Sequence, residues 1–218
     1  MIGGKTYRKS VELAKQLSML RDHIDVHRII GINFDALQQS DISPAFAGYL
    51  QATAHNSLAI GIRKLFEPSG RNDLNSIRGV IDTIEMPRPP SEALKALANF
   101  GAKYGNAASP DDVKAFLGAT FDLFCVANSA ALERLKVYRD TVGAHSEYKA
   151  SRDALPSHAE FESLYSFAAD LYGVVAREIL GVVPAPIPRT TGLGLLRILE
   201  SLGVTDPHFD FPSQNTAV

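Results

Sequence analysis

One stripe of apolar residues between positions 113 and 138 constrains the fold of this chain more than any other feature. Its members recur every three or four residues, the spacing of one face of an α-helix. They are Val113, Phe116, Leu117, Thr120, Phe121, Phe124, Ala127, Ala131, Leu135 and Tyr138. Ser109 and Pro110 precede the stripe as a helix cap and a first-turn residue. The sequence therefore predicts a long, largely buried helix from about Asp111 to Tyr138.

The same period recurs along most of the chain. It predicts further helices over residues 10–31, 44–66, 73–85, 91–104 and 157–180. Small residues at Ala47, Ala54 and Gly61 lie on one face of the second helix, where they would let another helix approach closely. No segment predicts a strand. The expected fold class is all-α, an antiparallel bundle of about five or six helices over residues 1–182.

Residues 183–218 are expected to form a C-terminal arm. Three prolines between 184 and 188 favour an extended linker. A short apolar helix over residues 193–202 follows, and a loosely ordered tail is predicted from Thr205. A helix of this length is marginal by itself, so it must dock on the body of its own chain, on a dimer mate or on another partner.

Polar and ionisable residues follow the apolar stripe directly: Arg139, Asp140 and, past Gly143, His145. At about 100° per residue, Arg139 and His145 would lie roughly 240° apart on a straight helix. A break at Gly143, which disfavours a helix interior, would bring them together. An Arg can bind phosphate oxygens and a His can transfer a proton, with Asp140 orienting either one. The alternative is a helix end with Gly143 as its C-cap and His145 on the surface.

The segment from Arg139 to His145 also resembles the R-x(4–6)-H signature of the HEPN superfamily (higher eukaryotes and prokaryotes nucleotide-binding). The Ala-His-Ser ending at Ser146 and the upstream segment 57–67 are similar to its abortive-infection branch, which includes toxin and phage-defence proteins. The resemblance covers about residues 40–180 and implies a metal-independent endoribonuclease, with an Arg/His cleft at a homodimer interface.

The resemblance also implies roles for individual residues. Arg139 would stabilise phosphate charge, His145 would be the acid/base and Asp140 the supporting polar residue. Ser146 and Tyr148 are expected to contact the substrate; Tyr148 would stack on a base, or else be a half-buried tyrosine. The implied partners are RNA or a nucleotide, a second copy of the chain and an antitoxin protein. Because many members of the superfamily are inactive, a non-catalytic nucleotide-binding or protein-interaction module is the alternative.

Composition limits the other functional classes. A net charge of −2 and an isoelectric point of about 6.3 are unlike those of a general nucleic-acid binder, so affinity for RNA would have to come from a local patch. The single cysteine, Cys125, forms no intrachain disulfide and fits a reducing compartment. With no signal peptide and no apolar run of about 20 residues, a cytoplasmic protein without a membrane partner is expected.

The sequence points to no cofactor and no metal at the proposed site. A separate alternative is a metal-binding bundle, since His23 and His27 are one helical turn apart on the first helix and would share a face. A histidine at the edge of the core is the simpler explanation for His27, because no Glu-x-x-His pair elsewhere completes a metal-binding bundle.

Overall fold

The computed structural model describes residues 4–68, 75–86, 89–145, 155–184, 187 and 190–209, with the backbone alone for 141–145. Helices make up the regular structure of these residues, and no strand occurs among them. The helices are α1 (Gly4–Ile32), α2 (Phe34–Gln38), α3 (Pro44–Leu65), α4 (Ile77–Ile81), α5 (Ser91–Lys103), α6 (Val113–Ala127), α7 (Ser129–His145), α8 (His158–Val174) and α9 (Thr190–Ser201). A π-helical turn, Val175–Ile179, extends α8. The all-α fold class is confirmed.

Helices α1 and α3 form the most extensive helix pair, and small residues allow their close approach. Ala47 and Ala54 are both buried on α3. At Gly61, an added Cβ would lie 2.6 Å from Leu20 Cδ2 of α1, so only glycine fits at this distance without displacing the leucine. The predicted small-residue face of α3 therefore lies at the α1 contact.

The predicted long helix over residues 111–138 is wrong in one respect. It is two helices, α6 and α7, bent by 79° at Asn128. The Asn128 side chain donates to the Phe124 carbonyl at 2.9 Å, and asparagine favours such local bonds over a continuing helix. Phe124 and Ala131, on either side of the bend, both belong to the buried core. The apolar spacing therefore continues across a bend that periodicity alone does not reveal.

Among the described residues, no single helix is both long enough and apolar enough to cross a membrane. Helices α6 and α7 have the length and apolar composition of a membrane span only when the bent pair is taken together. Several apolar residues of this pair, among them Val113, Phe121 and Leu135, are buried in the core of the bundle.

The N-terminus of α8 carries a capping box with a Ser-x-x-Glu pattern. Ser157 accepts a hydrogen bond from the Glu160 backbone N–H, and the Glu160 carboxylate accepts one from the Ser157 N–H. This reciprocal pair satisfies two backbone donors that a helix start leaves open. Arg134 of α7 pairs with the same Glu160, so the first turn of α8 is tied to α7.

The C-terminal arm docks on its own chain. Leu199 of α9 is buried in a small apolar cluster with Ile29 of α1 and Phe209. Asn33 fixes the segment after α9: its Nδ2 donates to the His208 carbonyl at 2.9 Å, and its Oδ1 accepts from the His208 N–H at 2.9 Å. Among the three docking surfaces considered from the sequence, the structure uses the body of the same chain.

Candidate functional site

Arg139 lies near the C-terminal end of α7, where two carboxylates engage its guanidinium. Its Nε and Nη2 donate to Asp140 Oδ1 at 2.9 and 2.7 Å. Its Nη1 donates to Glu67 at the end of α3. Three of the five guanidinium N–H donors are therefore used by acidic groups. Because the Arg139 side chain stays about one-third exposed, an anion from solvent can reach it.

Tyr138 fixes this part of α7 against α3. Its side chain is 8% exposed and belongs to the main core. Its hydroxyl donates to Asn56 Oδ1 of α3. The buried tyrosine directly precedes Arg139, so the arginine projects from a backbone held by both packing and a hydrogen bond.

The expected helix break at Gly143 is not observed. Helix α7 continues through Gly143 and ends at His145, because its preceding turns are already packed on the core and one glycine costs only about 1 kcal/mol in a helix. A break at that position therefore does not bring residues 139 and 145 together. The side chain of His145, and the whole of Ser146 and Tyr148, lie outside the described residues.

Glu67 is the site residue that sequence reasoning did not single out. It stands at the end of the segment 57–67, quoted above for its similarity to the abortive-infection branch. Its carboxylate meets Arg139 across a separation of 72 residues. The two stretches that carry the family resemblance therefore meet in space, at a contact between α3 and α7.

Comparison with known families decides the assignment of the fold. The AbiU2 model of the HEPN superfamily matches residues 5–186, a span that holds α1 to α8 and therefore both sides of the Arg139–Glu67 contact. The chain belongs to the AbiU2 family of HEPN proteins. Family membership makes it a HEPN protein of the abortive-infection type. The match ends before α9, so the docked C-terminal helix lies outside the family region. Neither the curated proteins nor the solved structures yielded a match to this AbiU2-family chain.

A second group of ionisable side chains lies where α1, α3 and α8 meet. His27 Nε2 and His55 Nδ1 are 3.2 Å apart. The rings of His27 and His158 are parallel to within 11°, with centroids 6.2 Å apart. His27 thus contacts imidazoles from two other helices, an arrangement that its spacing from His23 did not predict. Nowhere in the described ranges do three or more His, Cys, Asp or Glu side chains form a group suited to a metal ion.

Burial is the main influence on the pKa values of His27 and His158. It lowers the pKa of His27 to about 4, and the neighbouring His55 and His158 add to the effect. Burial also lowers the pKa of His158, against the opposing influence of Glu162. A low pKa means that the neutral ring is the form present at neutral pH. In this AbiU2-family protein, the partly buried His27 and His158 therefore favour their neutral forms, and His55 lies beside His27.

Proposed function

We propose that this chain is a metal-independent endoribonuclease of the toxin or phage-defence kind, which cuts RNA with Arg139 and His145 at a homodimer cleft. The observation that carries the proposal is the position of Arg139. In a chain of the AbiU2 family, it lies about one-third exposed near the C-terminal end of α7, where Tyr138, Asp140 and Glu67 hold it in place. An arginine so oriented is suited to bidentate binding of a phosphate.

The chemistry needs only groups that the chain and the RNA supply. A base removes the proton of a ribose 2′-hydroxyl, whose oxygen attacks the adjacent phosphorus. The bond from phosphorus to the 5′-oxygen breaks, and an acid protonates that leaving oxygen. The products end in a 2′,3′-cyclic phosphate and a 5′-hydroxyl. We assign the proton transfers to His145, since histidine exchanges protons near neutral pH, and stabilisation of the phosphorane charge to Arg139.

Asp140 and Glu67 act as positioning residues in this proposal. Their carboxylates hold the guanidinium extended in the absence of RNA, which lowers the entropy lost when a phosphate binds. They also offset the positive charge of the arginine, so a phosphate must compete with them for the guanidinium. RNA binding at this site is therefore expected to be weak without further contacts, which fits the overall charge of −2.

The same ion pairs favour a second candidate, a non-catalytic HEPN module that binds a nucleotide or a protein. An arginine that bonds two carboxylates could equally serve to hold α3 and α7 together. In that case Arg139 stabilises the helix pair, and RNA passes through the protein uncut. The experiment that tests the first proposal separates the two.

We expect wild-type protein, but not the Arg139→Ala/His145→Ala double variant, to arrest growth and degrade RNA when both are expressed at equal levels. Lys136→Ala is the matched control, because Lys136 is an exposed cation on the same helix. The measurement is growth together with the chemistry of the RNA ends, where cyclic phosphates are expected. Equal RNA loss in wild type and double variant would contradict the assignment. Intact RNA with purified wild-type protein would favour the non-catalytic module.

The homodimer of this proposal uses the outer face of α3. Large apolar side chains are exposed there at Phe46 (54%), Tyr49 (67%) and Ile60 (41%). Their spacing places them along one side of the helix. Asn56, which bonds Tyr138 of α7, lies on the same exposed side. A second copy seated on this face would therefore bring its own α7 beside Arg139.

Charge placed on this face should separate the dimer. We expect Tyr49→Glu/Ile60→Glu to shift the protein from dimer to monomer, because two carboxylates would be buried at an apolar contact. Sedimentation or light scattering at several concentrations measures the change, with Lys95→Glu at an exposed position of α5 as the control. Wild-type protein that stays monomeric at high concentration would rule out this interface.

A further inference from the structure

We propose that the contact of His27, His55 and His158, hereafter the histidine cluster, is a pH-sensitive switch: when neutral it holds α8 against α1 and α3, and proton uptake separates these helices and loosens α7. The inference concerns the conformation of the bundle. It rests on the proposed function only in so far as RNA cleavage depends on α7.

The first step is the hydrogen bond between two rings. The nitrogens of His27 and His55 are 3.2 Å apart, so one must carry the hydrogen and the other must accept it. A neutral imidazole offers one donor and one acceptor, whereas a protonated ring has two donors. The pair can accommodate one added proton, because the ring that stays neutral can accept a hydrogen bond from the protonated ring. A second proton places two N–H groups against each other and forces the rings apart.

His158, the third ring of the cluster, would add electrostatic repulsion if it were protonated. His158 lies parallel to His27 with centroids 6.2 Å apart, so two protonated rings would face each other as cations. The Oε1 of Glu162 lies 3.7 Å from His158 Nε2. That carboxylate already accepts two hydrogen bonds from Arg21, at 2.9 and 2.8 Å. A protonated His158 must therefore compete with a buried guanidinium for the same oxygen.

The charges around the histidine cluster are already balanced. The charged groups that face it from the packed helices are Arg21, Asp25 and Arg28 of α1 and Glu162 of α8, with the Arg134–Glu160 ion pair at the first turn of α8. The group from α3 at this contact is His55, which belongs to the cluster. Asp25 is fully buried and pairs with Arg21 at 3.5 Å. Glu162 favours a charged His158 but is shared with Arg21, so the acids around the cluster offset an added proton only in part.

Two contacts join this cluster to α7. Asn56 follows His55 on α3 and accepts the hydrogen bond of Tyr138. Glu160, two residues after His158 on α8, pairs with Arg134. Both Tyr138 and Arg134 belong to the part of α7 that leads to Arg139. Movement of α3 relative to α8 would therefore disturb two of the contacts that hold this segment.

The direction of the pH effect follows from the lowered pKa. An unfolded histidine titrates near its ordinary value of 6.5, and folded His27 near about 4. Between these values the unfolded chain binds more protons than the folded chain. The stabilisation is therefore complete above pH 6.5 and is lost as the pH falls toward 4. Proton uptake in this window is what drives the switch.

The test is the pH dependence of melting in the full-length protein, in buffer containing a metal chelator. Between pH 7.5 and 5.0 we expect the Tm of wild type to fall by roughly 4 to 8 °C more than that of His27→Gln. Glutamine keeps a polar side chain but does not titrate. His208→Gln, which replaces an exposed histidine, should follow wild type. If Tm changes with pH equally in wild type and His27→Gln, the proposal is overturned, whatever the absolute Tm of the variant.

Two measurements on wild type keep the proposal testable if His27→Gln does not fold. Imidazole NMR titration should place the midpoint of His27 below pH 5. Hydrogen exchange, corrected for its intrinsic pH dependence, should show faster exchange of amides 130–140 at pH 5.0 than at 7.5. Ordinary titration near pH 6.5 with unchanged exchange would overturn the switch. These readouts do not depend on RNA cleavage, so failure of the proposed enzymatic function leaves them interpretable.

Discussion

Replacing Arg139 with Lys should reduce RNA cleavage by roughly 10²- to 10³-fold, the range seen when one preorganised donor to a transition-state oxyanion is removed. The substitution keeps the positive charge but removes the planar fork. In the structure, Nε and Nη2 act together on one oxygen of Asp140 while Nη1 reaches Glu67. A lysine ammonium cannot reproduce that geometry for a phosphate.

Stability should change little in the same variant. The carboxylates contacted by Arg139 are themselves partly exposed, and ion pairs of this kind contribute about 0 to 1 kcal/mol. The measurement is single-turnover cleavage of an end-labelled RNA, together with a melting curve. Lys136→Arg is the reciprocal control on the same helix and should cleave like wild type. Full activity in Arg139→Lys would show that the site needs only a positive charge there.

Helix positions followed from the sequence where packing and capping agree. Helix α3 was predicted over residues 44–66 and spans Pro44–Leu65, because its buried face and first-turn proline both mark it. The capping box at Ser157 and Glu160 was likewise visible as a local pattern. Such signals depend on residues within one or two turns of each other, and a single sequence contains them in full.

Helix ends that depend on side-chain bonds to the backbone were harder to predict. Helix α4 was expected over residues 73–85 but spans only Ile77–Ile81. Ser76 accepts from the Gly79 N–H and sets its start. At its end the Thr83 hydroxyl donates to the Val80 carbonyl, while the Thr83 carbonyl accepts from Thr6 of α1. The last of these contacts involves a distant residue, which periodicity does not show.

The candidate site was predictable in part for the same reason. Arg139 and Asp140 are neighbours, and their pairing is local. Glu67 and Asn56 reach this part of α7 only because α3 packs against it. The residue spacing within α3 and α7 does not predict that contact. The partners of His27 also come from other helices, whereas the sequence offered only His23 beside it. Tertiary packing, rather than local pattern, completes both groups of side chains.

Tertiary packing also identifies the side chain whose loss should weaken the bundle most. Phe167 of α8 is fully buried and contacts rings from several other elements. It stacks on Phe124 of α6 at a centroid distance of 4.0 Å and meets Tyr104 edge-on at 4.7 Å. Rings from Phe66, Phe100 and Phe121 lie at centroid distances of 6.2, 5.8 and 6.2 Å from it. Its removal would therefore leave a cavity bordered by aromatic side chains that belong to different helices.

We expect Phe167→Ala to lower the free energy of unfolding by about 3 to 5 kcal/mol, the usual cost when a buried phenylalanine is truncated. The partners of Phe167 are themselves buried rings, so they cannot easily collapse into the space. Urea unfolding followed by circular dichroism, at one protein concentration, measures the change as a lower midpoint with a similar slope. Phe34→Ala is the matched control, because this ring is 41% exposed and its truncation should cost less than about 1 kcal/mol. Similar midpoints for the two variants would mean that the aromatic cluster around Phe167 is not the centre of the folded core.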